Sequence, residues 1–307
     1  MIIPAPADLA SRYRISNGSR FRLTDIDPND PWGKRLKPIA GEMLKQSRKR
    51  MASLQERLYA QDRWSILLIF QAMDAAGKDG TIKHVMSGVN PQGCDVHAFK
   101  APSSEELDHD FLWRTTRRLP RRGHIGIFNR SYYEETLVVR VHQNILAKQQ
   151  LPPDLVTKNI WRERFEDINA YERYLARQGV LVRKFFLHVS KDEQRKRFLE
   201  RLDKPEKHWK FSPADVGERS QFAAYMSAYE DMIRHTSTEW APWHVIPADR
   251  KWFTRLVVSA AIIDAIQSLD PRFPEVDPAV RAEFKKVKEQ LEAEVSQATP
   301  AKKARKK

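Results

Sequence analysis

Apolar residues fall along this chain in two alternating rhythms. From Ser65 the run SILLIF is short, continuous and partly β-branched, which predicts a strand buried on both faces rather than one alternating toward solvent. Further strand patterns follow at 94–99, 124–128, 180–189 and 244–246. Helical periods lie between them at 80–88, 103–118, 158–178, 191–202 and 219–235. An amphipathic stretch at 38–60, carried by Leu44, Met51, Leu54 and Leu58, leads into the first strand. The alternation predicts the α/β class: a doubly wound parallel sheet with helices on both faces and ligands at the carboxyl ends of the strands.

Three segments stand outside that rhythm. Residues 1–37 are rich in Pro, Asp and Arg with no sustained period, and read as an arm extended over the surface of a domain spanning 38–270 and ordered only by contact. Residues 203–219 (DKPEKHWKFSPADVGER) carry two prolines, one glycine and many charges, too long for an ordinary connection and suited to a lid. Beyond 270, a helix at 278–296 is followed by QATPAKKARKK, which is too polar to bury a core and is expected to be disordered.

Composition narrows the function classes. Of 307 residues 41% are hydrophobic, enough for one large domain with appendages. The formal net charge is +14, of which the tail AKKARKK carries five, so the rest of the chain is itself strongly basic and suited to a polyanion. A single cysteine, Cys94, excludes an intramolecular disulfide and paired-cysteine zinc sites, and fits a buried small hydrophobe in a reducing cytoplasm. The nine histidines show no paired metal-ligand spacing, which argues against a zinc hydrolase. No run approaches the roughly 18 apolar residues of a membrane span, so a cytoplasmic protein without a membrane partner is expected.

The candidate chemistry begins where the first strand ends, at QAMDAAGKDGTIKHV. Small residues Ala75, Ala76, Gly77 and Gly80 let backbone wrap a phosphate, a helix amino terminus adds partial positive charge, and Lys78 can reach terminal phosphate oxygens. The Walker A pattern is incomplete: Ala72 replaces the first glycine and Asp79 the hydroxyl residue that touches Mg²⁺. Asp74, a carboxylate inside a phosphate loop, makes sense chiefly as a metal ligand. On glycine and lysine alone, an ordinary strand, turn and helix explains the segment equally well.

A second strand, 124–128, runs into NRSYYEE and places Asn129 where a P-loop enzyme carries its acid. Asparagine cannot take a proton, and a phosphate acceptor that has already lost its second proton near pH 6 does not require it to. Arg130 follows and can fork onto phosphate oxygens, although a structural ion pair is a near-equal reading. Upstream, Arg114, Arg117 and Arg118 fall at i, i+3 and i+4, and Arg121 and Arg122 extend the stripe. Such runs are usually solvated faces, and only proximity to the phosphate loop favours polyanion binding. In the lid, Arg201, Lys204, Lys207, Lys210 and Arg219 together could close over a transferring phosphoryl group.

The motifs MDAAGKDGTIKHV, SGVNPQGCDVHAFK, IFNRSYYEE and LDKPEKHWKFSPADVGER, in this order, are similar to the polyphosphate kinase type 2 family over roughly residues 25–269. The resemblance implies a thymidylate-kinase-like P-loop fold, polyphosphate in a basic channel, transfer of its terminal phosphoryl to AMP or ADP, Mg²⁺ (with Mn²⁺ as a substitute) and a homo-oligomer, dimeric or tetrameric. It assigns Asp74 and Lys78 to the phosphate-loop pair, Arg130 to the arginine of the second motif, and the segment from Arg201 to Arg219 to the lid. Many relatives carry Asp where Asn129 stands, which shifts the metal role toward Asp74 and Glu134. The acidic pair Glu134 and Glu135 is similar to the branch that accepts both AMP and ADP. Two other readings remain at this stage. A conventional ATP-dependent nucleoside monophosphate kinase would share loop, lid and sheet, and a nucleic-acid-binding module would share the charge but lacks any recognised motif, so no specific nucleic-acid partner is expected.

Overall fold

The structure, a computed structural model, describes residues 4–298. The chain divides after Arg272 into two compact units.

The first unit is built on a six-stranded sheet: β1 (Arg14–Ile15), β2 (Ser65–Ala72), β3 (Cys94–Ala98), β4 (Ile125–Asn129), β5 (Val180–His188) and β6 (Trp243–Pro247). Spatial order is β1-β6-β5-β2-β4-β3. All neighbours are parallel except β1, which pairs antiparallel with β6 through Arg14↔His244 and Ile15↔Trp243. All eight residues of β2 are buried, so both faces of the sheet are covered, as the unbroken apolar run SILLIF requires. The covering helices are α1 (Ala40–Gln61), α2 (Lys78–Val85), α3 (Ile160–Arg177), α4 (Lys191–Asp203), α5 (Phe222–Thr236) and α6 (Lys251–Gln267). Helix α6 packs with α1 and α2, whereas α3 packs with α5.

Two expectations are corrected, and one helix was not foreseen. Residues 4–37 do not lie extended over the surface: Leu9, Ala10, Tyr13, Phe21 and Leu23 are buried, and the segment supplies an edge strand of the sheet. Short elements joined by turns, including a helix at Pro6–Ser11 and another at Pro31–Leu36, leave no window long enough to show a period. The helix at 103–118 is two four-residue helices, Ser104–Leu107 and Trp113–Thr116, the first stopped after a Ser103–Glu106 capping box has set its start. Finally, α6 gave no amphipathic signal because twelve of its residues are buried, which removes the polar face that a 3.6-residue period needs.

The second unit contains one helix, Pro278–Ala298. The basic tail at 301–307 lies outside the described residues.

Candidate functional site

Strand β2 has β4 on one side and β5 on the other, and the chain leaves it first toward β3 and β4 and later toward β5 and β6. Such a switch in direction opens a crevice beyond the carboxyl end of the strand, which is where the loop from Met73 to Gly77 lies. Two residues there have left-handed backbone: Gly77 at φ 98° and, at greater cost, Ala75 at φ 62°. Helix α2 begins at Lys78, so its first-turn N–H groups have no i−4 carbonyl to bond. A cavity of about 340 Å³ sits here, lined by Met73 to Gly80 together with Lys100, Asn129, Arg130 and Arg201.

The loop is held from behind. Arg197 on α4 is buried and donates through Nη1 to the carbonyls of Ala75 and Ala76 at 3.2 and 2.7 Å, and through Nη2 to those of Ala248 and Asp249 at 2.6 and 3.2 Å. Its Nε donates to Glu193 at 2.8 Å. Gln194 adds a bond from Nε2 to the Asp74 carbonyl at 3.0 Å. With these carbonyls engaged on the α4 side, the loop's conformation is fixed before any ligand arrives. Sequence reasoning missed both residues, yet Gln194, Arg197 and Arg201 stand at i, i+3 and i+7 on one face of α4, a polar stripe that pointed to a shared target.

Lys78 is 9% exposed, and its Nζ donates to the Ala72 carbonyl at 3.4 Å. Burial pulls its pKa down and Arg130 adds to the effect, against the carboxylates of Glu134, Asp74 and Asp79. Arg130, at φ 65°, sets Nη2 on Asp74 Oδ1 and Nη1 on Glu134 Oε2, both at 2.9 Å. Glu134 more than any other group raises the guanidinium pKa, so the cation is permanent. The two carboxylates assigned to metal thus converge on one side chain at the mouth of the phosphate-loop cavity. They fit a hard divalent cation of the Mg²⁺ type, which takes one or two carboxylates and completes its shell with water and phosphate oxygens. Among the described residues no cluster of three or more His, Cys, Asp or Glu side chains forms a self-sufficient metal site. Asn129 donates to Asp79 at 2.8 Å, so the residue in the Walker B place tethers the start of α2.

On the other side of Arg130 lies a cavity of about 410 Å³ walled by Phe99, Leu107, Phe111, Val138, Val139 and Ile145, with Glu134 and Glu135 also in its lining. Glu135 accepts two hydrogen bonds from Gln149 Nε2, at 2.7 and 2.8 Å, and faces Arg164; burial nevertheless pushes its carboxyl pKa up. Phe99, Lys100 and Arg130 line both cavities. The segment that carries Arg130 and Glu134 is anchored below by Tyr132 and Tyr133, whose hydroxyls both donate to the buried Glu172 at 2.8 Å.

The remaining expected residues divide. Arg201 lines the phosphate-loop cavity and reaches Asp215 of the 203–219 segment at 3.4 Å. Burial first, and Asp74 second, push the Asp215 carboxyl pKa up, which places that segment close to the loop. Lys204 and Lys207 do not line the cavity; both donate to Glu200, at 2.8 and 2.7 Å. Arg219 donates to Gln194 Oε1 at 2.8 Å and so joins the bracing behind the loop. The side chain of Lys210 lies outside the described residues. The arginine stripe is also split. Arg114 turns inward to the Lys100 carbonyl and Glu106, Arg117 lies over Trp113, and Arg118 flanks a shallow cavity beside His97 and Lys100. Arg121 is not brought to the site: it donates to His124, whose other ring nitrogen meets Asp95, at the amino ends of β4 and β3. The loop before a parallel strand necessarily opens at the end opposite its catalytic edge.

Comparison with known proteins converges on one group. The polyphosphate kinase 2 family model matches residues 37–274. An ADP-polyphosphate phosphotransferase of Rhodopseudomonas palustris is 50% identical over 285 residues, 91% of this chain and 97% of that protein. An AMP/ADP-polyphosphate phosphotransferase of Meiothermus ruber is 44% identical over 269 residues, 87% of this chain and 97% of that one. The crystal structure of polyphosphate kinase 2 from Arthrobacter aurescens matches with a TM-score of 0.84 at 39% identity, covering 94% of this chain and 98% of that chain. With a phosphate loop braced at the switch point of the sheet and relatives this similar over nearly their whole length, the chain belongs to the polyphosphate kinase 2 family.

Proposed function

We propose that this protein transfers the terminal phosphoryl group of inorganic polyphosphate to a nucleoside diphosphate or monophosphate, ADP and AMP, in a reversible reaction. The observation that carries the reading is Arg130, one permanent cation shared by a polar phosphate-loop cavity and an apolar cavity sized for a nucleoside. The donor end lies against the loop and Lys78, and the acceptor enters through the apolar cavity. An acceptor phosphate oxygen attacks the terminal phosphorus, the P–O–P bond to the penultimate phosphate breaks, and polyphosphate one unit shorter leaves. The acceptor oxygen is already deprotonated near neutral pH, so no general base is required and Asn129 serves as a tether. Lys78, Arg130 and Arg201 screen the oxygens that gather charge in the transition state. Mg²⁺, or Mn²⁺ in its place, held by Asp74 and Glu134, supplies further charge neutralisation. Residues 203–219 act as a lid whose Asp215 meets Arg201 of α4 at the site, and they exclude water. We further propose that the enzyme is a cytoplasmic homo-oligomer; among the described residues no helix is long and apolar enough to cross a membrane.

The test is a matched assay of purified protein with Mg²⁺, AMP or ADP as acceptor, and long-chain polyphosphate or ATP as donor. ATP formed from ADP and polyphosphate alone is the expected result. Turnover with ATP as the sole usable donor would replace this reading with a conventional nucleoside monophosphate kinase. Acceptor breadth is tested by Glu134→Asn, expected to depress use of AMP more than use of ADP.

A further inference from the structure

The helix Pro278–Ala298 leaves Val280, Phe284, Val287 and Leu291 between 47 and 57% exposed. Their spacing is 4, 3 and 4, the d-a-d-a rhythm of a heptad seam, and not the broader stripe of a helix that covers a sheet. The seam lies beyond residue 274, where the family-model match ends, in the second compact unit of the chain.

The charges beside the seam indicate what covers it. With Phe284 at a, Glu283 occupies g and Lys288 the following e, while Arg281 is the preceding e. In a parallel pair of identical helices g faces the e of the next heptad on the partner, so Glu283 meets Lys288 of the other copy twice over. Lys288 reaches Glu292 within its own helix at 3.7 Å, an exposed pair that can exchange for Glu283 of the other copy. An antiparallel pair would set Arg281 against Lys288, cation to cation. We propose that this helix docks in parallel against the same helix of a second copy of the chain, joining subunits through the second compact unit. Two heptads alone hold weakly, and the seam works at the local concentration created when subunits already meet.

The experiment uses the full-length protein with one cysteine introduced at a time. Val287→Cys lies at d, where parallel partners bring identical positions together, and Lys285→Cys lies at the outward b position. The natural Cys94 competes poorly, because burial pushes its thiol up to about 12. Under mild oxidation, covalent dimer from Val287→Cys is expected at least tenfold faster than from Lys285→Cys, and adding Leu291→Asp should abolish the difference. Turnover should be unchanged in all three, showing that the catalytic unit remains folded. Equal rates for the two positions, or no cross-linking from Val287→Cys in folded, active protein, would overturn the proposal, including in favour of a different protein as occupant.

Discussion

Replacing Glu172 with Gln removes one charge from a pair that no solvent reaches. Glu172 and Lys184 are both fully buried, with Nζ and Oε2 2.6 Å apart. Lys184 also donates to the Tyr133 hydroxyl at 2.8 Å and the Thr236 carbonyl at 2.7 Å, and Glu172 accepts from both tyrosines. Glutamine keeps the volume and one acceptor oxygen, so the loss is electrostatic, an unpaired buried ammonium costing about 3–5 kcal/mol. Burial already lowers the Lys184 pKa and Glu172 is the group that opposes it; without that carboxylate the folded pKa falls further. Between that value and the unfolded value near 10.4 the unfolded state binds more protons, so the stability of Glu172→Gln rises with pH and its deficit against wild type narrows. Urea denaturation at pH 7, 8 and 9 should show a midpoint gap that is largest at pH 7. The double variant Glu172→Met with Lys184→Met should recover most of the stability, since an apolar pair leaves no buried charge. A deficit below about 1 kcal/mol at pH 7, or a gap that widens with pH, would refute the account.

Four further outcomes are expected. Lys78→Ala should lower polyphosphate-dependent turnover by about 100- to 1,000-fold while leaving the melting temperature unchanged or raised, because a buried charge is lost; the pair of readouts is turnover and thermal melting. Arg197→Lys cannot serve carbonyls of both the loop and the β6–α6 connection, and should cost about 2–4 kcal/mol in denaturant titration and roughly 100-fold in kcat through a misplaced loop. Arg201→Ala should slow transfer by about 1,000-fold or more, whereas Lys204→Ala and Lys207→Ala, whose partner is Glu200, should stay within about twofold in the same assay. His188 is held by burial at a pKa of about 4, so the unfolded state takes up more protons below pH 6.5 and stability falls by about 3 kcal/mol as pH drops through that window. His188→Asn should flatten that slope in urea titrations at pH 4.5 and 7.

The legible parts of the fold were those with an unambiguous local signature. SILLIF suited a strand buried on both faces, and the loop after it combined small residues with Lys78 where an α/β sheet offers a crevice. The site constellation of Asp74, Lys78, Asn129 and Arg130 does come together, because each stands at the carboxyl end of β2 or β4. Arg121 shows the limit of proximity in sequence, since a residue a few positions before a parallel strand is a strand length away from one just after it. Lys204 and Lys207 were read as lid cations, although Glu200 stands four residues before Lys204 in a legible helical ion pair; that the same carboxylate also holds Lys207 has no local pattern. For Arg197 the stripe on α4 and the i,i+4 partner Glu193 were legible, but its loop partners are backbone carbonyls, which every sequence contains.

The antiparallel edge strand also governs the order in which the chain can finish folding. Arg14 must wait for His244, about 230 positions later, before its ladder closes. At ordinary rates of synthesis that interval is about 10–50 s, during which the amino-terminal segment, with its buried Leu9 and Tyr13, has no sheet to join. When β6 emerges, all five of its residues are destined for the core and its outer edge is bare until β1 arrives. Residues made long before β6 are therefore among the last to find their place, and they close the edge through which one nascent chain would otherwise pair with the next.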